Sequence, residues 1–310
     1  MKAFAITARD TQPTVQELPT PEPATGEVLV EVEAASVNGF DLSVAAGYVW
    51  DMIPHEFPVV LGRDMVGTVT AVGEGVEDFA VGDRVAGVIP GVGLGPRTGT
   101  LAEYVAVAAS AVTRVPPGVD TEQAAVVGLA GIAAHDALEA LNVQSGQTVL
   151  ISGATGGVGS IAVQLAAAAG ATVIGTAKPS QEDEYVRSLG AAHTVDYTVD
   201  LVAAVKEIAS HGVDKVLHAA GDAATLGATV KSGGAIVSTR GASVAEVGRE
   251  DVTIVPIVAA ATADKLATLL GHVAVGQLRV NLETAIPLER APEAFAAFAD
   301  GTLGKILIIR

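Results

Sequence analysis

The chain has 310 residues, half of them hydrophobic, with 35 glycines, no cysteine and a formal net charge of −17 at pH 7. That length exceeds a typical single core and points to two domains, and the missing cysteines exclude disulfides and thiolate zinc sites. The acidic balance argues against nucleic acid or an anionic membrane surface as partner, and no apolar run reaches about 18 residues without a charge or a glycine.

Residues 1–10 carry one lysine and then a strand-like alternation, unlike a secretory leader, so the cytoplasm is the expected compartment. Through Val115 the chain reads as short strands with Gly and Pro punctuation. Residues 28–34 alternate as Val-Leu-Val-Glu-Val-Glu-Ala, and 67–72 and 84–88 are similar pieces with turns at Gly73-Glu74-Gly75 and Gly82-Asp83. They predict a mostly-β domain ending near Val115-Pro116-Pro117-Gly118. Residues 121–141 predict an Ala-rich helix broken at Gly128 and Gly131. From Thr148 the pattern changes to alternating strands and helices. Strands are predicted at 148–151, 172–176, 193–196, 213–218, 235–238 and 252–255, with helices between most of them, including 200–209. Six strands with crossovers predict an α/β fold with a doubly wound parallel sheet. The tail, 303–310, holds Lys305-Ile306-Leu307-Ile308-Ile309, a strand suited to rejoin the first domain. The expected domains are 1–118 with 259–310, and 119–258.

The run Ser152-Gly153-Ala154-Thr155-Gly156-Gly157-Val158-Gly159 carries the chemistry. It lies between the strand at 148–151 and an apolar helix, 160–169, that stops at Gly170. Glycines let a backbone turn tightly and approach a pyrophosphate, and the helix N-terminus offers free N–H groups and a partial positive charge. A Gly-rich turn alone is common; here the flanking strand and helix and the later strands stand in the order a dinucleotide fold needs.

The second strand bears on which dinucleotide. About 20 residues past the glycines, an NAD-preferring site carries an acid for the ribose hydroxyls. This chain reads Gly175-Thr176-Ala177-Lys178-Pro179-Ser180 there, with no acid before Glu182. Thr176, Lys178 and Ser180 suit a 2′-phosphate through charge-assisted hydrogen bonds, which favours NADPH. A second reading stays open: Ser180 with Asp183 has capping-box spacing, acids fill the first helical turn, and Lys178 is a solvated surface residue. The acids at 182–184 argue against NADPH.

Taken together, these segments resemble the zinc-free medium-chain dehydrogenases/reductases of the quinone oxidoreductase group, over essentially the whole chain. The resemblance rests on Ser36-Val37-Asn38-Gly39-Phe40-Asp41, on 58–67, on Val81-Gly82-Asp83-Arg84-Val85 and on 99–105. It continues through 131–138, the loop and helix at 154–166, Leu189-Gly190-Ala191, Asp196-Tyr197, Gly212-Val213-Asp214, Lys231-Ser232-Gly233-Gly234 and Gly304-Lys305-Ile306. It implies a GroES-like substrate domain beside a Rossmann domain, with the active site in the cleft between them. It places Tyr197 with Lys178 near the adenosine phosphate, the loops Ala219-Ala220-Gly221 and Thr239-Arg240-Gly241 along the nicotinamide, and Asn38 and Tyr48 at the substrate end. It also implies a homodimer paired through the strand at 252–255. Zinc alcohol dehydrogenases of the same superfamily have Cys at Asn38 or Gly39 and Gly-His-Glu at Gly62-Arg63-Asp64. The family often has Thr at Ala133 and usually Asp at His218.

No two of the six histidines sit at one-turn helical spacing, and no metal site is expected. Neither a Gly-x-Ser-x-Gly element nor a Cys nucleophile is present, which argues against covalent hydrolysis. Tyr48 either donates a proton or packs; Asn38 is either a substrate ligand or a buried turn former. Trp50 suits an aromatic wall, His218 ends a strand at the ligand-binding rim, Arg63 and Asp64 suit a structural pair, and 92–100 reads as a Gly-rich loop or turn. Without a zinc Lewis acid an unactivated alcohol is a poor substrate. Hydride from NADPH suits quinones or carbon–carbon double bonds conjugated to a carbonyl, with Asn38, Tyr48 or backbone N–H groups polarising the oxygen. The expected function is NADPH-dependent, zinc-independent reduction of such a compound. The alternatives are an enoyl-thioester or ketone reductase, or a catalytically silent NADPH-binding sensor.

Overall fold

A computed structural model describes residues 1–90 and 93–310; Val92, in the predicted Gly-rich loop, lies outside the described residues. The chain divides into two units, Met1–Leu129 with Ala261–Arg310, and Ala130–Ala260.

In the first unit, alternating valines make strands that bury one face. β1 (Lys2–Ile6), β2 (Thr14–Glu17) and β4 (Val59–Val60) form a small antiparallel sheet. A seven-stranded sheet contains β3 (Glu27–Ser36), β5 (Asp64–Val72), β6 (Arg84–Val88), β7 (Tyr104–Ala108) and β8 (Val112–Arg114). A short helix, α1 (Gly39–Ala45), follows β3. The returning segment adds α8 (Ala263–Ala274), β15 (Leu282–Pro287), α9 (Ala291–Ala299) and β16 (Lys305–Ile309). β16 lies between β15 and β3, so the tail strand does rejoin the first unit. The core gathers Val28, Val30, Met65, Ile306 and Ile308 from these strands and Leu101 from the segment before β7, and Phe4 of β1 packs edge-on against Phe295 of α9 at 5.0 Å.

α2 (Thr121–Leu141) is interrupted at Gly128, where φ −41° and ψ −109° leave the helical region; Gly131 does not break it. The unit boundary falls just past this glycine, and not at the expected 118/119 junction. The reason is local: Arg84 donates to the Val119 carbonyl and the Thr121 hydroxyl at 2.8 and 2.9 Å, and Gln123 donates to the Val280 carbonyl at 3.0 Å. These bonds tie the first turns of α2 to the first unit. The second boundary lies at Ala260/Ala261 and not at 258/259. α2 has the length and apolarity of a bilayer span, but 61% of its most apolar window is buried in the protein, as in a core helix.

The second unit is a parallel sheet of β9 (Thr148–Ser152), β10 (Thr172–Thr176), β11 (His193–Val195), β12 (Val213–His218), β13 (Val230–Ser238) and β14 (Thr253–Pro256). Its order is β11-β10-β9-β12-β13-β14, the doubly wound arrangement. The crossovers carry α3 (Gly157–Ala168), α4 (Gln181–Ser188), α5 (Leu201–Ile208), α6 (Ala223–Gly227) and α7 (Val244–Val247). Central strands are apolar on both faces, as parallel strands must be: Val149, Leu150 and Ile151 are fully buried. β13 begins earlier than predicted because Val230 pairs with Val213 before a register shift. α3 also begins earlier, at Gly157, which places the end of the glycine run inside its first turn.

Candidate functional site

β9 ends at Ser152, and Gly153 (φ +69°) turns the chain toward α3. Two glycines here serve packing. A Cβ on Gly159 would lie 2.1 Å from the Gly153 carbonyl oxygen, and one on Gly175 would lie 2.4 Å from Val186 Cγ1. Gly156 differs, because its nearest neighbour would be the Gly153 oxygen at 3.6 Å. Gly156 is the N-cap of α3; it offers no side chain to the first turn, and that turn contains no acid. No side chain caps the first turn of this 12-residue helix and the space beside Gly156 is open, a cradle that fits a pyrophosphate held by first-turn N–H groups. Thr155, Gly156, Gly157 and Val158 are partly exposed at the tip. The Ala154 side chain is buried under the loop, leaving only its main chain to meet a ligand.

The C-terminal rim of the sheet contains a polar belt that sequence reasoning missed. Ser152, His218 and Ser238 are in register across β9, β12 and β13. Ser152 Oγ donates to the Ala220 carbonyl at 2.7 Å and accepts from the Ala219 and Ala220 N–H groups. Ser238 Oγ accepts from the Arg240 and Ala242 N–H groups at 3.1 Å. His218 Nε2 faces the Gly221 carbonyl at 3.2 Å, so it carries the hydrogen, and Nδ1 accepts from the Ser238 hydroxyl at 3.1 Å. Burial pushes the imidazole pKa down, which keeps the ring neutral. The belt pins the loops at 219–221 and 239–241. Their residues Ala219, Ala220, Gly221, Thr239, Arg240 and Gly241 are all partly or fully exposed.

At the end of β10 the structure separates the three candidate phosphate residues. Thr176 is 3% exposed, and its hydroxyl accepts from the Gly153 N–H at 2.9 Å. It shapes the glycine loop and is not free for a phosphate, because the last strand residue points beneath that loop. Ser180 is exposed at φ +79°, precedes α4 and makes no side-chain cap bond, so the capping-box reading is corrected. The Lys178 N–H takes a carboxylate instead, donating to Glu182 Oε2 at 2.8 Å. Lys178 Nζ lies 3.9 Å from Glu182 Oε1 and 5.3 Å from the centroid of the Tyr197 ring. The Tyr197 hydroxyl donates to Glu182 Oε1 at 3.4 Å.

The first unit holds a buried charge network. Lys305 Nζ donates to the Val37 carbonyl and Asn38 Oδ1, both at 2.7 Å. Asn38 Nδ2 donates to the Ser36 carbonyl at 3.0 Å and to Asp64 Oδ2 at 3.3 Å. Asp64 also accepts from the Ser36 N–H and hydroxyl and from the Leu129 N–H. Asp41 accepts from the Asn38 N–H at 2.9 Å and the Gly62 N–H at 3.1 Å. Asn38, at the N-cap of α1, thus has its side-chain oxygen and both amide hydrogens engaged within the fold. Arg63 and Asp64 do not pair. The Arg63 guanidinium sits 4.8 Å from the centroid of the Phe40 ring and donates to the Pro90 carbonyl, while its Nη2 is buried without a partner. Tyr48 is 76% exposed, whereas Trp50 is buried against His55 and Phe57. Asp41 and Lys305 carried no spacing signal beyond their place in the motifs.

Burial pushes the Asp41 carboxyl up to about 7, from 3.8. A raised carboxyl pKa means that the folded chain holds a proton the unfolded chain releases, so this stabilisation is lost as pH rises through that window. Burial of neutral His218 has the opposite sign below 6.5. Asp41→Asn, with His218 unchanged, is therefore expected to lose less stability than the parent between about pH 4 and 7. Urea unfolding midpoints across that range check this; parallel curves would refute it.

Nothing here fits a zinc ion at the positions where zinc relatives hold one. The chain has no cysteine, Arg63 is a cation stacked on Phe40, and both Asp64 oxygens are taken by hydrogen bonds. In the second unit His135, Asp136 and Glu139 bring one ligand atom each within 4.8 Å of one another, a grouping with a single histidine and therefore without the paired-histidine spacing. There Asp136 Oδ2 accepts from the Ala260 N–H at 2.7 Å.

Comparison with known proteins agrees with this geometry. Residues 24–117 match the family described as alcohol dehydrogenase GroES-like domain, and residues 157–277 match the one described as zinc-binding dehydrogenase. A chloroplast envelope quinone oxidoreductase homolog of Arabidopsis thaliana is 30% identical, covering 94% of this chain and 92% of its own. The quinone oxidoreductase structure from Coxiella burnetii is 26% identical with a TM-score of 0.88, covering 100% of this chain and 99% of its own. A mycobacterial protein solved in complex with NADPH is 27% identical with a TM-score of 0.88, covering 100% of both chains.

Proposed function

Since the chain belongs to the medium-chain dehydrogenases/reductases and is quinone oxidoreductase-like, with a GroES-like unit and a Rossmann-like dinucleotide unit, we propose that it uses NADPH to reduce a quinone or an α,β-unsaturated carbonyl compound without zinc. The observation that carries this reading is the uncapped N-terminus of α3 above Gly156, open where a pyrophosphate would lie. Lys178 at the end of β10, where NAD-preferring sites hold an acid, supports the phosphorylated cofactor. The donor set at Asn38, Arg63 and Asp64 supports chemistry that needs no Lewis acid.

When bound, the reduced nicotinamide supplies a hydride to an acceptor that delocalises the resulting charge itself. The chain's contribution is orientation: Ser152, His218 and Ser238 fix the two loops that would line the nicotinamide. Polarising the acceptor oxygen falls to Tyr48, whose hydroxyl is unengaged among the described residues, or to backbone N–H groups, because Asn38 has no amide hydrogen left to give. Among the described residues β14 pairs only with β13 and leaves an open sheet edge, which supports the homodimer as part of this reading; a monomeric mass in solution would remove that part.

The test is loss of reduced-nicotinamide absorbance with NADPH and NADH separately, against quinones and enones, with a chelator present. Chelator-resistant turnover favouring NADPH is the expected result. Tight NADPH binding without turnover on any acceptor would replace the reductase reading with that of a sensor.

A further inference from the structure

Three donors converge on the Glu182 carboxylate. The Lys178 N–H reaches Oε2 at 2.8 Å, and the Tyr197 hydroxyl and Lys178 ammonium approach Oε1 at 3.4 and 3.9 Å. A backbone N–H, a phenol and an ammonium are what a phosphate monoester dianion takes up at the end of such a strand. Its two neighbouring acids are differently placed. Asp183 is bound by Arg187 at 2.9 Å and by the Thr194 hydroxyl, while Glu184 is exposed. Of the three acids that argued against NADPH in the sequence, Glu182 alone is aimed at Lys178. Hydrogen bonding to Tyr197, and after it the charge of Glu182, also hold the lysine above its ordinary range.

The geometry points to Glu182 as an internal stand-in for the cofactor's 2′-phosphate, a built-in competitor that sets how strongly this site discriminates NADPH from NADH. The inference rests on the dinucleotide reading above and adds the residue that tunes it. A bound 2′-phosphate must displace the carboxylate from Lys178 and Tyr197 or share them against like-charge repulsion. A cofactor with a 2′-hydroxyl meets no such repulsion and can donate to the carboxylate instead.

The test is direct binding, read by the fluorescence of the reduced nicotinamide, so it needs no acceptor. Glu182→Gln keeps an oxygen for the Lys178 N–H and removes the charge. It should tighten NADPH about ten-fold or more while leaving NADH unchanged or weaker. Adenosine 2′,5′-bisphosphate should compete more strongly against the variant, and 5′-AMP should not. Glu184→Gln removes the same charge from the same helical turn and should leave the ratio within about two-fold. An unchanged or smaller NADPH/NADH ratio in Glu182→Gln, or an equal shift in Glu184→Gln, overturns the inference while the dinucleotide reading stands. If the parent chain binds neither dinucleotide, both fall together.

Discussion

Gly156→Ala is expected to fold as the parent does and to bind reduced dinucleotide at least about ten-fold more weakly. The backbone at Gly156, φ −78° and ψ 175°, suits any residue, and an added Cβ meets nothing of the protein closer than 3.6 Å. The fold should therefore lose no more than about 1 kcal/mol, the usual scale of an N-cap exchange. The methyl would stand where the pyrophosphate must approach the first-turn N–H groups. Gly159→Ala makes the contrast, since its Cβ would lie 2.1 Å from the Gly153 oxygen and must deform the loop itself. Thermal melts and fluorescence titrations of both variants separate the two cases. Undiminished binding by Gly156→Ala would remove the cradle as the phosphate site.

Lys305→Met is expected to destabilise the first unit by about 3–5 kcal/mol, the cost of breaking a buried ionic cluster by removing one partner. Lys305 is fully buried, and its ammonium offsets Asp41 and Asp64, which are likewise within the core. Methionine matches much of the chain length but leaves the Val37 carbonyl and Asn38 Oδ1 without their donor. Above the pH at which Asp41 ionises, adding Asp41→Asn removes one uncompensated charge and should recover part of the loss. Urea denaturation of the single and double variants measures the coupling. A loss under about 1 kcal/mol for Lys305→Met would mean that water reaches the cluster and screens it.

Much of the second unit was legible because its signals are local. The strands at 172–176 and 213–218 emerge with the predicted bounds, since a buried parallel strand is an apolar run between turn residues. The glycine run was legible for the same reason, and Gly156, Gly157 and Gly159 fall at the N-terminus of α3 as it implied. Thr176 was misread because spacing marks the end of a strand but not which way the last side chain points. The capping-box alternative at Ser180 failed because Ser-x-x-Asp spacing does not fix which backbone N–H meets which side chain; here the Lys178 N–H takes Glu182 and Ser180 caps nothing. The belt of Ser152, His218 and Ser238 and the cluster around Lys305 are bonds between distant segments, 268 residues apart for Lys305 and Val37. No window of sequence contains both partners. The Arg63–Asp64 pair failed although the two are adjacent: Asp64 opens β5 and takes donors from Ser36 and Leu129, whereas Arg63, just before the strand, stacks on Phe40 and reaches the Pro90 carbonyl.

β16 also constrains how the molecule is made. Its insertion between β15 and β3 means that the large sheet of the first unit cannot close until segments separated by the entire second unit have met. The second unit is continuous in sequence, and apart from β9 with β12 its neighbouring strands pair across single crossovers, so most of its contacts form at lower loop-closure cost than β3 with β16. Folding that unit first would shorten the effective tether joining β3 to β16. Refolding should then show early protection of amide hydrogens in β9, β10 and β12 and late protection in β3 and β16, with the ammonium of Lys305 among the last groups to leave water.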